Sequence, residues 1–278
     1  MVRNGIRVID CHHHVGSLES LGLTVGDVGD RDPASVELER RLAAMDAHGI
    51  DQAIVIPGHG YLRPRGQVDT SAVNDAIATY RDATPDRFPA ALGIIEPIHG
   101  AAACRHELER MRDELGLVGL SIHARFQGVA TDSPLVLDTL RVAAGLGLVP
   151  FVHAVDGVPD EALWKVQEAA RAIPDTTVVV LDALGGLEHA RQACVVGAET
   201  SNLVFDVSLA HHPMFVEQLL AVVGAERIVF GTDHYSMMPT PLHAGVLDDI
   251  LGLPLSDADL AAMLAGNIER ILGIGGGR

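Results

Sequence analysis

Eight short runs of apolar and β-branched residues recur along the chain, each followed by a stretch of helical period, and that alternation leaves few folds open. The runs are IRVIDCH (6–12), DQAIVIP (51–57), FPAALGIIE (88–96), LVGLSIH (117–123), LVPFVHA (148–154), TTVVVLDAL (176–184), NLVFDVSL (202–209) and RIVFGTD (227–233). Segments such as SVELERRLAAMDAHG, DEALWKVQEAARAI and MFVEQLLAVVGAE lie between them, with apolar residues at three- and four-residue spacing, and read as crossover helices. At roughly 30 residues per unit, eight strand–helix pairs reach about 250 residues, the size of a (β/α)8 TIM barrel. The expectation is a single α/β domain over residues 1–278, a TIM barrel with room for distortion, ending in two short C-terminal helices. A nine-strand open sheet is the alternative.

An apolar fraction of 48% supplies a large core, and a formal charge of −17 argues against nucleic acid or an anionic membrane as partner. A small-molecule substrate is expected, and a homo-oligomer stays open. No apolar run reaches the roughly 18 residues of a membrane span and no signal segment opens the chain, so a cytoplasmic location is expected. Cys11, Cys104 and Cys194 are odd in number and widely spaced, which suits reduced thiols. The acidic loop after the first run holds Asp27, Asp30 and Asp32 without the ordered spacing of a calcium site, and reads as a solvated segment.

The histidines collect at strand ends, where a barrel of this kind carries its chemistry. His12 and His14 end the first strand, His59 follows the second, His123 ends the fourth, His153 ends the fifth and His234 follows the eighth. Residues i and i+2 of a strand share a face, so His12 and His14 project together into the barrel mouth while His13 points away. Asp10 can orient the pair or serve as a strand-terminal turn partner. With His153 and Asp233 they make a three-His, one-Asp set suited to one divalent ion, Zn²⁺ preferred, with Mn²⁺ and Fe²⁺ as alternatives. His211 and His212 precede Pro213 and read as a helix opening. His48, His99, His106, His189 and His243 read as surface positions.

These motifs carry a family resemblance. IDCHHH resembles the Asp-x-His-x-His opening of the amidohydrolase superfamily, LVPFVHA its strand 5 histidine, and RIVFGTDHYSMMP its strand 8 aspartate motif. AGNIERILGI is similar to the ending of the amidohydrolase-related branch that includes aminocarboxymuconate semialdehyde decarboxylases. The resemblance implies a metal-dependent barrel with His12, His14, His153 and Asp233 as ligands. The strand 4 lysine that bridges two metals in many members has no counterpart in GLSIHA, which implies one metal. Strand 6 of relatives reads like His-Leu-Gly-Gly, but this chain has LDALGG, with Ala183 in the histidine's place. Either the position has been altered or another group has its role. If residue 183 faces the barrel, the pleat sends Asp182 toward the helices as a structural carboxylate; a one-residue slip would bring it inward but flip VVVL as well.

The chemistry expected is hydrolysis of a small amide, lactone or related carbonyl compound by a metal-activated water, with Asp233 taking the water's proton. His123 is the candidate replacement acid. His59 and Arg125 are the candidate substrate contacts, Arg125 preferred over Arg63 and Arg65. Phe126, Tyr61, Tyr235 and Met237 offer apolar walls. Non-oxidative decarboxylation is the alternative the family frame implies, and a catalytically impaired barrel that only retains the metal site is the third.

Overall fold

The computed structural model describes residues 5–16, 29–235 and 245–275. Asp27, Met237 and His243 fall outside the described residues. Every expected run forms a strand: β1 (Ile9–Val15), β2 (Gln52–Pro57), β3 (Ala90–Ile94), β4 (Gly119–Ile122), β5 (Val149–His153), β6 (Val178–Leu181), β7 (Leu203–Asp206) and β8 (Ile228–Val229), with β9 (His234–Tyr235) close behind. All pair in parallel in the order β8-β7-β6-β5-β4-β3-β2-β1-β9. β8 and β9 are the two ends of one segment, pairing with β7 at one end and with β1 at the other, so the sheet closes on itself. Cys11 N donates to Phe230 O across that seam at 2.9 Å. The result is a TIM-barrel-like α/β fold and not an open sheet.

Side chains alternate between two apolar layers, as a pleated strand covered on one face by helices requires. Ile9, Cys11, Ile54, Ile56, Leu92, Phe151, Val179, Leu181, Val204 and Val229 fill the interior. Their neighbours, including Val8, Val55, Ile122, Val152, Val178, Val180, Phe205 and Ile228, pack outward against helix residues such as Met45, Ile77, Leu108, Leu140, Val166 and Leu219. Three helices start where the sequence supplies a cap and a proline. Asp32 accepts from Ser35 N ahead of Pro33–His48, and Ser133 accepts from Val136 N ahead of Pro134–Gly145. His212 accepts from Met214 N ahead of Pro213–Val223, in line with its reading as a helix opening.

The C-terminal segments Asp257–Ala261 and Asn267–Leu272 are the two expected helices, joined by a π-helical turn at Ala262–Gly266. Ala265 and Ile268 plug the interior layer. The Asn267 amide donates to Ala225 O and Ile228 O at 2.7 and 2.8 Å, and Arg270 donates to Glu226 O, so the AGNIER ending fastens β8. His189 corrects the surface reading: it is buried, and its Nε2 donates to Ala154 O at 2.6 Å. Among the described residues, no helix is long and apolar enough to cross a membrane.

Candidate metal centre

Four side chains from three parts of the chain meet at the carboxyl ends of the strands. His12 Nε2 lies 3.0 Å from His14 Nε2 and 3.3 Å from Asp233 Oδ1, and His14 Nε2 lies 3.4 Å from His153 Nε2 and 3.5 Å from Asp233 Oδ1. Donors held about 2.05 Å from one ion at tetrahedral angles stand about 3.3 Å apart, so the spacing suits a single cation.

Hydrogen bonding makes the same demand. His14 Nδ1 faces Pro57 O at 3.3 Å and His153 Nδ1 faces Ile122 O at 3.0 Å. A carbonyl oxygen only accepts, so both Nδ1 atoms donate and both Nε2 atoms turn lone pairs toward each other. Burial, with His12, His153 and His59 nearby, keeps the His14 pKa well below the ordinary value, and burial with His12 and His59 does the same for His153. Burial also opposes a charge on His12, yet Asp233, Asp182 and Asp206 outweigh it and raise that imidazole to about 10. The facing lone pairs of His14 and His153, with the Asp233 carboxylate beside His12 and His14, leave room for positive charge between them. The donor set fits a divalent ion, and backing contacts to the far ring nitrogens are what ligating imidazoles need.

The directions of these side chains depend on two breaks in strand regularity. Ile9 and Cys11 face the interior, so strict alternation would send His12 and His14 toward the helices. Asp10 is opposite Ala53 while His13 is opposite Val55, which places one extra residue on β1. This β-bulge reverses the phase and turns His12 and His14 inward. His13, on the other side, bonds Asp10 through Nδ1 at 2.7 Å and packs against the His234 ring. Asp233 has a φ of 52°, a left-handed conformation that non-glycine residues seldom adopt outside functional turns.

Asp182 corrects the expectation that it faces the helices. Its φ is 67°, and its Oδ1 lies 3.8 Å from His12 Nδ1 and accepts from Ser208 Oγ at 3.2 Å. Ala183 instead packs in the outer layer, so the strand 6 position that the resemblance ties to a catalytic histidine points away from the site. Burial raises Asp182 to about 7; His12 opposes that rise and Asp206 adds to it. Asp206 accepts from His12 Nδ1 at 2.7 Å and from Asp182 N at 3.0 Å. It escaped the sequence reading, although it stands two residues after the interior Val204 on β7.

The remaining candidates line the same mouth. The His123 ring stacks on His153 with centroids 4.0 Å apart, and its Nδ1 meets Glu161 Oε1 at 2.6 Å. Glu161, in a short 3-10 turn after β5, is pushed up to about 7 by burial. No local signal marked it. His59 is buried, with Nε2 3.0 Å from Ser121 Oγ and no partner for Nδ1. Tyr235 stacks on His14 at 4.4 Å, and Phe126 meets His123 edge-on at 4.7 Å. Arg63 is bound to Glu96, which also takes the Tyr61 hydroxyl, and Arg65 to Asp69. Arg125 is exposed, its guanidinium 4.7 Å over Phe126, and forms no ion pair among the described residues.

The chain folds like several solved enzymes of low sequence identity. 5-Carboxyvanillate decarboxylase LigW from Sphingomonas paucimobilis is 20% identical with a TM-score of 0.73, over 98% of this chain and 100% of that one. A dihydroxybenzoic acid decarboxylase from Polaromonas sp. JS666, solved with manganese, is 17% identical with a TM-score of 0.71, over 96% and 97%. 4-Oxalomesaconate hydratase from Rhodopseudomonas palustris is 14% identical with a TM-score of 0.71, over 96% and 95%. No curated protein matches in sequence. The sequence profile described as amidohydrolase matches residues 9–274, nearly the whole chain, and with that match this protein belongs to the amidohydrolase family.

Proposed function

We propose that the protein is a divalent-metal-dependent, non-oxidative decarboxylase of a small carboxylated compound. The observation that carries this reading is Arg125. It follows His123 by two residues at the mouth of the histidine cluster and makes no ion pair among the described residues, while Arg63 and Arg65 are spent on Glu96 and Asp69. A guanidinium so placed fits a carboxylate in two-point contact. The similarity of two solved decarboxylases to this fold supports the reading, and the manganese in one extends the metals to test beyond Zn²⁺.

His12, His14 and His153 would hold the ion together with Asp233, whose Oδ1 lies 3.3 and 3.5 Å from the Nε2 atoms of His12 and His14. When bound, the ion supplies Lewis-acid stabilisation of the negative charge that builds on the substrate as a carbon–carbon bond breaks. Arg125 orients the substrate carboxylate, and the stacked imidazoles exclude water. As CO₂ leaves, the bonding electron pair stays on the substrate carbon, which takes the proton from His123 Nε2. His123 Nδ1 then takes a proton from Glu161, 2.6 Å away; a solvent proton returns to Nε2 and the Nδ1 proton passes back to Glu161, which restores both groups for the next turnover. Burial keeps His123 neutral and leaves Glu161 protonated up to about pH 7, which suits that sequence.

The test is a panel of hydroxylated aromatic and unsaturated carboxylic acids, together with small amides and lactones, offered to the Mn²⁺- or Zn²⁺-loaded protein. CO₂ release with replacement of the carboxyl group by hydrogen is expected, with kcat/KM at least tenfold lower in Arg125→Met. Hydrolysis of an amide or lactone without CO₂ would instead restore the hydrolase expectation.

A further inference from the structure

Both segments that leave the regular ladder at the metal centre bond to one side chain. Asp10 is fully buried. Its Oδ1 accepts from His12 N, inside the β1 bulge, and from Thr232 N, in the stretch between β8 and β9, both at 3.0 Å. Its Oδ2 accepts from His13 Nδ1 at 2.7 Å and from the Thr232 hydroxyl. Four donors converge on one carboxylate, and only the acceptor-only ionised form can take all four.

These bonds replace missing ladder bonds. The seam between β1 and the last strand segment has a single backbone bond, Cys11 N to Phe230 O, before pairing resumes at His13 with His234. In the gap, the side chain of Asp10 stands where a strand neighbour would. Buried amides left without acceptors are costly, so bulge and bend persist only while something accepts from them. The bulge turns His12 inward, and the bend carries Asp233 one residue beyond Thr232.

We propose that Asp10 is the positioning residue of the metal centre: it ties the strand bearing His12 and His14 to the segment bearing Asp233 and so fixes their separation. The inference rests on the metal reading of the cluster. It assigns Asp10 no contact with metal or substrate. Its effect runs through two backbone amides, one hydroxyl and the His13 imidazole.

The test is a Co²⁺ titration of metal-free protein followed by visible absorption, which reads affinity and ligand geometry without turnover. Asp10→Asn keeps the size but offers a single acceptor oxygen and adds donors where donors already crowd. It is expected to weaken Co²⁺ binding tenfold to a hundredfold and to shift the absorption bands. Thr232→Val removes one of the four bonds and should weaken binding severalfold, while Thr232→Ser keeps the hydroxyl and should restore the parent values. Parent affinity and bands in folded Asp10→Asn would overturn the proposal, even with a lowered melting temperature, because that is the mark of a merely structural carboxylate. If Asp10→Asn does not fold, Thr232→Val decides alone, and parent affinity there overturns the proposal. His153→Ala serves as the separate control. Undiminished Co²⁺ binding in that variant would sink the metal reading itself.

Discussion

At the scale of single residues, the three imidazoles of the candidate metal centre, His12, His14 and His153, each have the far nitrogen engaged. Asp206 backs His12 at 2.7 Å, so Asp206→Ala should lower Zn²⁺ affinity by 10- to 100-fold in a competition titration, with the fold intact by circular dichroism. Glu161 gives a pH signature with a definite sign. Its pKa rises from 4.5 to about 7 by burial, so between those values the folded protein holds a proton that the unfolded chain has released. Stability from this group is complete below about pH 4.5 and falls as pH rises toward 7. Urea denaturation at pH 5 and pH 8 should therefore show Glu161→Gln gaining on the parent at the higher pH; a constant difference would contradict the raised pKa. Ala183 is fully buried in the outer layer. Ala183→His should overpack that layer, cost about 1–3 kcal/mol in the same denaturation assay and confer no activity.

At the scale of elements, period-2 alternation holds where a strand runs unbroken, although it was not what singled out His153 and Asp206 was not singled out at all. His153 lies two residues after Phe151 on β5, and Asp206 two after Val204 on β7, and both face inward as parity requires. The eight strands and their crossover helices were legible, because burial on both faces writes continuous apolar runs into the chain. Parity failed where the backbone departs from the pleat. The pairing of His12 with His14 could be read from their spacing, but their inward direction comes from a bulge that no residue type announces. Asp182 and Ala183 were exchanged between faces because a positive φ at 182 resets the alternation. Glu161 was invisible for another reason: it reaches His123 from a loop 38 positions away. The close fit at the seam offers a further check. A Cβ on Gly231 would come within 2.8 Å of both His12 Cβ and Asp206 Oδ2. Gly231→Ala should therefore lower both thermal stability and metal affinity, whereas an exposed substitution such as Leu62→Ala should leave metal affinity alone.

At the scale of the whole molecule, the barrel is a device for bringing residues 12, 14, 153 and 233 to one end of a closed parallel sheet. Closure is the critical step, since the segment 228–235 both completes the sheet and delivers Asp233. Under the proposed function, a chain with charge −17 would need a local cation for an anionic substrate, and Arg125 is the group proposed to supply it. The family match over residues 9–274 agrees with this architecture, while Ala183 and the inward Asp182 set this chain apart from the pattern that the family frame led the sequence reading to expect. X-ray absorption at the zinc edge of the Zn²⁺-loaded protein reads the ligand set itself. One ion per chain is expected, with three imidazole nitrogens and carboxylate oxygen at about 2.0–2.2 Å. A shell of oxygens alone, or imidazole scattering that persists unchanged in His153→Ala, would contradict that ligand set.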